Sequence, residues 1–213
     1  QRKGRAGWWK VYGQGQLWEV EGKIYKDWDI IESVPHMARL VRRGLDFGYS
    51  NDPTAAVDIY RYNGGYVLDE VLYQTGMSNK QIAETLLLFE KTLTIADSAE
   101  PKSIHELKSY GLNVIGAKKG QGSVSQGIQF VQGQRISVTK RSANIIREYR
   151  NYLWKTDRDG KIVNEPEHEY SHSMDSIRYG FDGFVESRNT PIIQDLEARK
   201  RRQQRSKFSA VVR

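Results

Sequence analysis

The chain of 213 residues has no cysteine, three methionines, five prolines and four histidines (His36, His105, His168 and His172). Each scarcity excludes something. Without thiols there is no disulfide, no thiolate zinc site and no cysteine nucleophile, so any metal must sit mainly on carboxylates, which suit hard ions such as Mg or Mn. No apolar run approaches the ~20 residues of a membrane span, and Gln1 opens a polar, basic stretch without a signal-peptide core. A soluble, intracellular protein with no membrane partner is expected. Charge, by contrast, is plentiful: 33 Lys+Arg against 26 Asp+Glu give a net +7. That excess lies at the ends. Residues 1–12 carry four bases and no acid, residues 188–213 carry eight bases and two acids, and the body between them is slightly acidic. The basic ends read either as docking arms for a polyanion or as solubilising charge.

At roughly 100 to 200 residues per domain, the length allows one sizeable domain with extensions. Residues 1–38, which hold Trp8, Trp9, Trp18 and Trp28 between glycines, read as an extended lead-in that packs on a neighbour. The chain reads as a piece of something longer. From Arg39 the pattern becomes regular. Leu40 to Phe47 is a short apolar strand, Thr54 to Tyr62 alternates as a second, and Asn63-Gly64 turns the chain into a third over Tyr66 to Tyr73. Ser78 caps a helix carrying Ile82, Leu86 and Phe89 at helical spacing. Strands over Leu93–Asp97, Leu112–Ala117 and Arg135–Val138 then alternate with helices from Pro101, Ser123 and Ser142. Trp154 to Val163 is a hairpin turning at Asp159-Gly160, and His172 to Val185 the last helix. Residues 188–213, with the run Arg199-Lys200-Arg201-Arg202, are expected to form a mobile basic tail. The domain proper is thus residues 39–187. Three hairpin-connected strands followed by strand–helix units make an α/β protein with a mixed central sheet flanked by helices. This is the plan of ribonuclease H-like domains, though the pattern alone admits other α/β arrangements.

Three carboxylates stand where neither a core nor a solvated face would place them. Asp46 ends the first strand in Gly44-Leu45-Asp46-Phe47-Gly48, Asp97 ends the fourth in Ile95-Ala96-Asp97-Ser98, and Asp175 lies in the first turns of the last helix. Each also has an ordinary reading: a turn acid, a helix cap, a favourable partner of the helix dipole. If the first and fourth strands are adjacent and parallel, Asp46 and Asp97 share the sheet edge where open α/β sheets bind ligands, and the helix can bring Asp175 there. Three such charges need a cation, and two divalent ions ~4 Å apart would clamp a phosphodiester for in-line attack by water. His172, one turn before Asp175, shares its face as a ligand, a proton shuttle or an N-cap neighbour. Asp52, in the turn after Asp46, is placed to reach a second ion or an attacking water, although Asn51-Asp52-Pro53 is also standard turn chemistry.

At these residues the chain resembles the C-terminal nuclease domain of tailed-bacteriophage large terminase subunits, the DNA-packaging motors. The resemblance rests on the strings from Gly44 to Ala55, Ile95 to Ser103, Ala117 to Val124 and His172 to Gly180, which occur in the family's order. It implies a ribonuclease H-like fold and a metal-dependent endonuclease cutting concatemeric viral DNA with little sequence preference. The metal triad falls on Asp46, Asp97 and Asp175, with Asp52 and His172 accessory and Mg or Mn as the ion. It also implies an ATPase domain earlier in the same polypeptide, portal and small-terminase partners, and the host bacterial cytoplasm as location. No Gly-x-x-x-x-Gly-Lys-Ser/Thr phosphate loop occurs here, so ATP hydrolysis is not expected of this chain. Where some relatives carry a further acid beside Asp175, this chain has Ser176.

For double-stranded DNA, a phosphate track is expected on Lys102, Lys118, Lys119, Lys140, Arg141 and Lys155, with the Gly120 and Gly122 backbone able to approach phosphates. Taken singly, each is equally readable as a solubilising charge. The rival readings are a transposase or junction resolvase of the same fold, an actin-like or sugar-kinase phosphotransfer domain, and a non-catalytic nucleic-acid module. The kinase reading lacks a second phosphate loop and a duplicated domain; the non-catalytic one leaves three acids unexplained.

Overall fold

Alternation builds the sheet. In the computed structural model, which describes residues 22–184, β2 (Arg39–Asp46), β3 (Thr54–Tyr62) and β4 (Gly65–Gln74) run as an antiparallel meander. The β3–β4 turn places both Asn63 (φ 46°) and Gly64 (φ 75°) in the left-handed region, as a tight hairpin demands. Four parallel strands extend this core: β1 (Asp29–Ile31), β5 (Thr94–Ala96), β6 (Val114–Gly116) and β7 (Ile136–Thr139). The resulting seven-stranded sheet has the order β1-β7-β4-β3-β2-β5-β6. β2 pairs in parallel with β5, so the adjacency on which the acidic site depends is present. β8 (Trp154–Thr156) and β9 (Ile162–Pro166) form a separate hairpin.

Five helices cover this sheet among the described residues: α1 (Asn79–Leu86), α2 (Pro101–Ser109), α3 (Ser123–Gln132), α4 (Ala143–Asn151) and α5 (His172–Gly180). Ser78 and Gln81 close a capping box on α1. On one face, Ile82 and Leu86 of α1 and Ile104 and Leu107 of α2 pack on Leu45, Ala56, Leu72 and Ala96. On the other lies α5. Its approach is set by glycine: a Cβ on Gly44 would stand 1.8 Å from Ser176 O, and one on Gly180 would stand 2.5 Å from Ile59 Cδ1. Only hydrogen at these positions lets the helix lie this low on the strand.

Within the segment 1–38 read as a lead-in, residues 24–31 are part of the folded domain. Ile24, Tyr25 and Trp28 are buried, Trp28 stacks on Tyr149 at 4.7 Å between ring centroids, and β1 pairs with β7. Trp8, Trp9, Trp18 and the tail from residue 188 lie outside the described residues. The last helix ends at Gly180 rather than continuing to Val185, because the chain turns through Gly183 at φ 62°. No helix among the described residues is long and apolar enough to cross a membrane.

Candidate metal and nuclease centre

Strand alternation aims the first two acids. Leu45 and Ala96 point into the α1–α2 core, whereas Gly44 meets Ser176 of α5 and Ile95 packs with Tyr179 of α5. Asp46 and Asp97, two residues beyond Gly44 and Ile95, therefore face α5 at the carboxyl ends of paired strands. The Asp97 N–H donates to Leu45 O at 3.1 Å, tying the two strand ends together. On α5, His172 reaches Asp46 at this edge, and Asp175 lies one turn further along the helix.

Asp46 is 8% exposed. Its Oδ2 is 3.3 Å from His172 Nδ1, and the other ring nitrogen, Nε2, is 3.5 Å from Asp52 Oδ1. Burial pushes the Asp46 carboxyl up to about 6, the hydrogen bond with His172 opposes this, and the charges of Asp175 and Asp97 raise it further. The imidazole of His172 is itself raised, chiefly by its hydrogen bond to Asp46 and against the effect of burial. Those charge effects place Asp97 and Asp175 within electrostatic reach of Asp46.

Asp97 and Asp175 are each held by a base. Lys119 Nζ is 2.5 Å from Asp97 Oδ1, and Arg178 forks onto Asp175 Oδ1 at 2.7 and 3.1 Å. Among the described residues no three His, Asp or Glu side chains stand in the mutual geometry of a metal cage. Two of the three carboxylates pair with neighbouring cations. The donor set itself, oxygens with one imidazole and no thiol, fits a hard divalent ion.

Of the residues expected along a DNA track, Lys118 and Lys119 sit in the loop after β6 at this same edge, with the Lys118 N–H donating to Asp182. Lys102 is exposed on α2. Lys140 pairs with Glu32, Lys155 with Glu165 on the β8–β9 hairpin, and Arg141 forks onto the buried Asp69. The structure brings the last three to no carboxylate of the centre.

Sequence reading missed Glu148. It is fully buried, accepts from Tyr73 Oη at 2.7 Å and from the Ser173 N–H at 2.6 Å, and so caps α5 beside His172. Glu70 does the same for α4, accepting from the N–H groups of Asn144 and Ile145. Negative charge at a helix N-terminus is favourable, and here it is supplied from neighbouring elements. The available signal was an acid on the apolar stripe Ile145-Glu148-Tyr149-Tyr152.

Comparison with known proteins gives this constellation its family. The model of the terminase RNase H-like domain matches residues 46–183. The chain belongs to that family. It is 38% identical over 151 residues to the large terminase subunit of Bacillus phage SPP1, covering 67% of this chain and 36% of the relative. The terminase domain described here therefore spans about a third of that relative's length. In structure it is similar to the nuclease domain of the SPP1 large terminase, solved with bound Mn: TM-score 0.65, 30% identity, 74% of this chain and 96% of that one. The large terminase nuclease of thermophilic phage G20c, solved with bound magnesium, shares the fold at TM-score 0.57 and 15% identity, over 76% and 98% of the two chains.

Proposed function

We propose that this terminase domain is a divalent-metal-dependent endodeoxyribonuclease that hydrolyses phosphodiester bonds of double-stranded concatemeric DNA during viral genome packaging. The observation that carries the reading is the stacking of α5 on the ends of two paired parallel strands. It sets Asp46 and Asp97 at one edge, with His172 between Asp46 and Asp52 and Asp175 one turn further along α5. Asp46, Asp97 and Asp175 are the proposed ligands, with Asp52 and His172 at the periphery, and Mg or Mn, in two ions, is the proposed cofactor. The manganese in the SPP1 relative supports that choice. When bound, such ions supply an activated water and stabilise charge on the attacked phosphate.

The chain's own groups do the rest. Lys119 is half-exposed and its pair with Asp97 is a surface ion pair of about 0–1 kcal/mol, so it moves from Asp97 to a DNA phosphate at little cost. Arg178 is largely covered, at 11% side-chain exposure, and stays, orienting Asp175. His172 bridges Asp46 and Asp52 and is the proposed donor of a proton to the departing oxygen. Among the described residues, the bases proposed beside the centre, Lys118 and Lys119, lie in the loop after β6, which supports backbone binding with little sequence preference. A match to 36% of the SPP1 subunit is in keeping with an ATPase domain elsewhere in the same polypeptide; portal and small-terminase partners and the host cytoplasm are what the family resemblance implies.

The test is cleavage of supercoiled plasmid by the chain with Mg or Mn and with EDTA. Asp97→Ala is expected to abolish cutting while DNA binding persists or strengthens. Cutting by that variant, or by wild type in EDTA, overturns the reading, and preferential cutting of a four-way junction replaces it with a resolvase-type activity.

A further inference from the structure

The proposed site has a cation on one flank, Lys119, and a second, unassigned one on the other. Arg147 of α4 lines an open cleft of about 610 Å³ whose wall also includes Asp52, Tyr73, His168 and His172. Arg147 is exposed, yet its guanidinium has a fixed support. Nη2 donates to Tyr73 Oη at 3.1 Å, and the group lies 5.5 Å from the centre of the Tyr73 ring. Tyr73 is in turn fixed by donating to the buried Glu148, whose other oxygen caps α5 at Ser173. One continuous line of hydrogen bonds therefore sets Arg147 relative to the helix that carries His172 and Asp175. A guanidinium has five N–H donors, and the contact to Tyr73 uses one of them.

Register gives the distance scale. Asp46 pairs with Ala55, and Ala55 with Tyr73, so Tyr73 is level with Asp46 two strands away. At 4.7–4.9 Å per strand the two backbones are about 10 Å apart at that level. β5, with Asp97 and its partner Lys119, lies on the opposite side of β2.

We propose that Arg147, held by Tyr73, binds a backbone phosphate of the DNA flanking the one attacked, on the side opposite Lys119. The inference rests on the nuclease reading and adds a binding residue to it. An arginine in this role forks onto phosphate oxygens, and it contributes to affinity and register without reading sequence.

The experiment is fluorescence-anisotropy titration of a labelled 30-base-pair duplex in EDTA, across a salt series, where cleavage plays no part. Arg147→Ala is expected to weaken binding several-fold and to lower the slope of log K against log[salt] by about 0.9, the value of one phosphate contact. Arg147→Lys is expected to keep the slope, and Tyr73→Phe to keep the slope while losing part of the affinity. Lys91→Ala, which alters a base at the opposite end of β5, is the control and is expected to change neither. An unchanged slope in Arg147→Ala, or an equal fall in Lys91→Ala, overturns the proposal even if wild type cuts DNA. Failure of wild type both to bind and to cut overturns the nuclease reading instead.

Discussion

His172 Nδ1 and Asp46 Oδ2 lie 3.3 Å apart although 126 positions separate them in the chain. The meeting depends on α5 lying directly on β2, and it joins a buried carboxyl to an imidazole with a second acid, Asp52, beyond it. The centre is thus an acidic edge whose carboxylates pair with an imidazole and with neighbouring bases.

A pH dependence follows from this pair. Burial raises Asp46 to about 6 from 3.8, so ionising it costs the folded state more than the unfolded one. The penalty is absent below pH 3.8 and complete above about 6, amounting to about 3 kcal/mol at most. His172 is raised as well, so its stabilising contribution is present below 6.5 and lost as pH rises through its folded value. Both act in one direction. The metal-free protein should lose stability between pH 4 and 8, and Asp46→Asn should lose less; melting temperatures that converge as pH rises would contradict this.

The close approach of α5 predicts a steric effect. Gly44→Ala sets a methyl against Ser176 O, a backbone atom that moves only if the helix moves. Overpacking of this kind costs about 1–3 kcal/mol or more, and it lifts His172 and Asp175 off the edge. Thermal denaturation should show a large fall in Tm, with loss of metal binding by calorimetry. Gly133→Ala serves as the control. Its Cβ meets nothing closer than 3.5 Å and its φ is −77°, so stability should hold or rise slightly.

Much of this was legible in the sequence, for a physical reason. Asp46 and Asp97 each end an apolar run, and an acid there has a solvation cost that asks for an explanation. The Asn63-Gly64 turn and the Ser78 cap are likewise local chemistry. What escaped was non-local. Nothing near Lys140 or Arg141 shows that Glu32 and Asp69 pair with them, and nothing near Glu148 shows that it caps a helix 25 residues on. Phe181 and Phe184 continue the apolar pattern of α5, so only the backbone turn at Gly183 reveals where the helix stops.

The buried pair Arg43–Asp58 predicts an asymmetry. Arg43 Nε and Nη2 donate to Asp58 at 2.5 and 3.0 Å, both residues are 1% exposed, and Nη1 also donates to Leu86 O at the end of α1. Arg43→Ala strands a buried carboxyl and should cost about 3–5 kcal/mol in urea denaturation. The double variant Arg43→Met with Asp58→Leu removes both charges and should recover most of that loss. Equal destabilisation by the single and double variants would mean that the pair acts through packing alone.

Lys119 should affect metal and DNA in opposite directions. Its ammonium group lies on Asp97 and occupies the place a divalent ion would compete for. Removing it leaves Asp97 freer and the edge more negative, so Lys119→Ala should bind Mn more tightly by calorimetry and gain a larger rise in Tm on adding the ion. At 100 times the dissociation constant that rise corresponds to about 2.7 kcal/mol. On the proposed nuclease reading the same variant loses a phosphate contact, so its affinity for duplex DNA should fall and the salt slope should drop by about 0.9. Losing both affinities together would show that Lys119 holds the loop in shape rather than exchanging Asp97 for a phosphate.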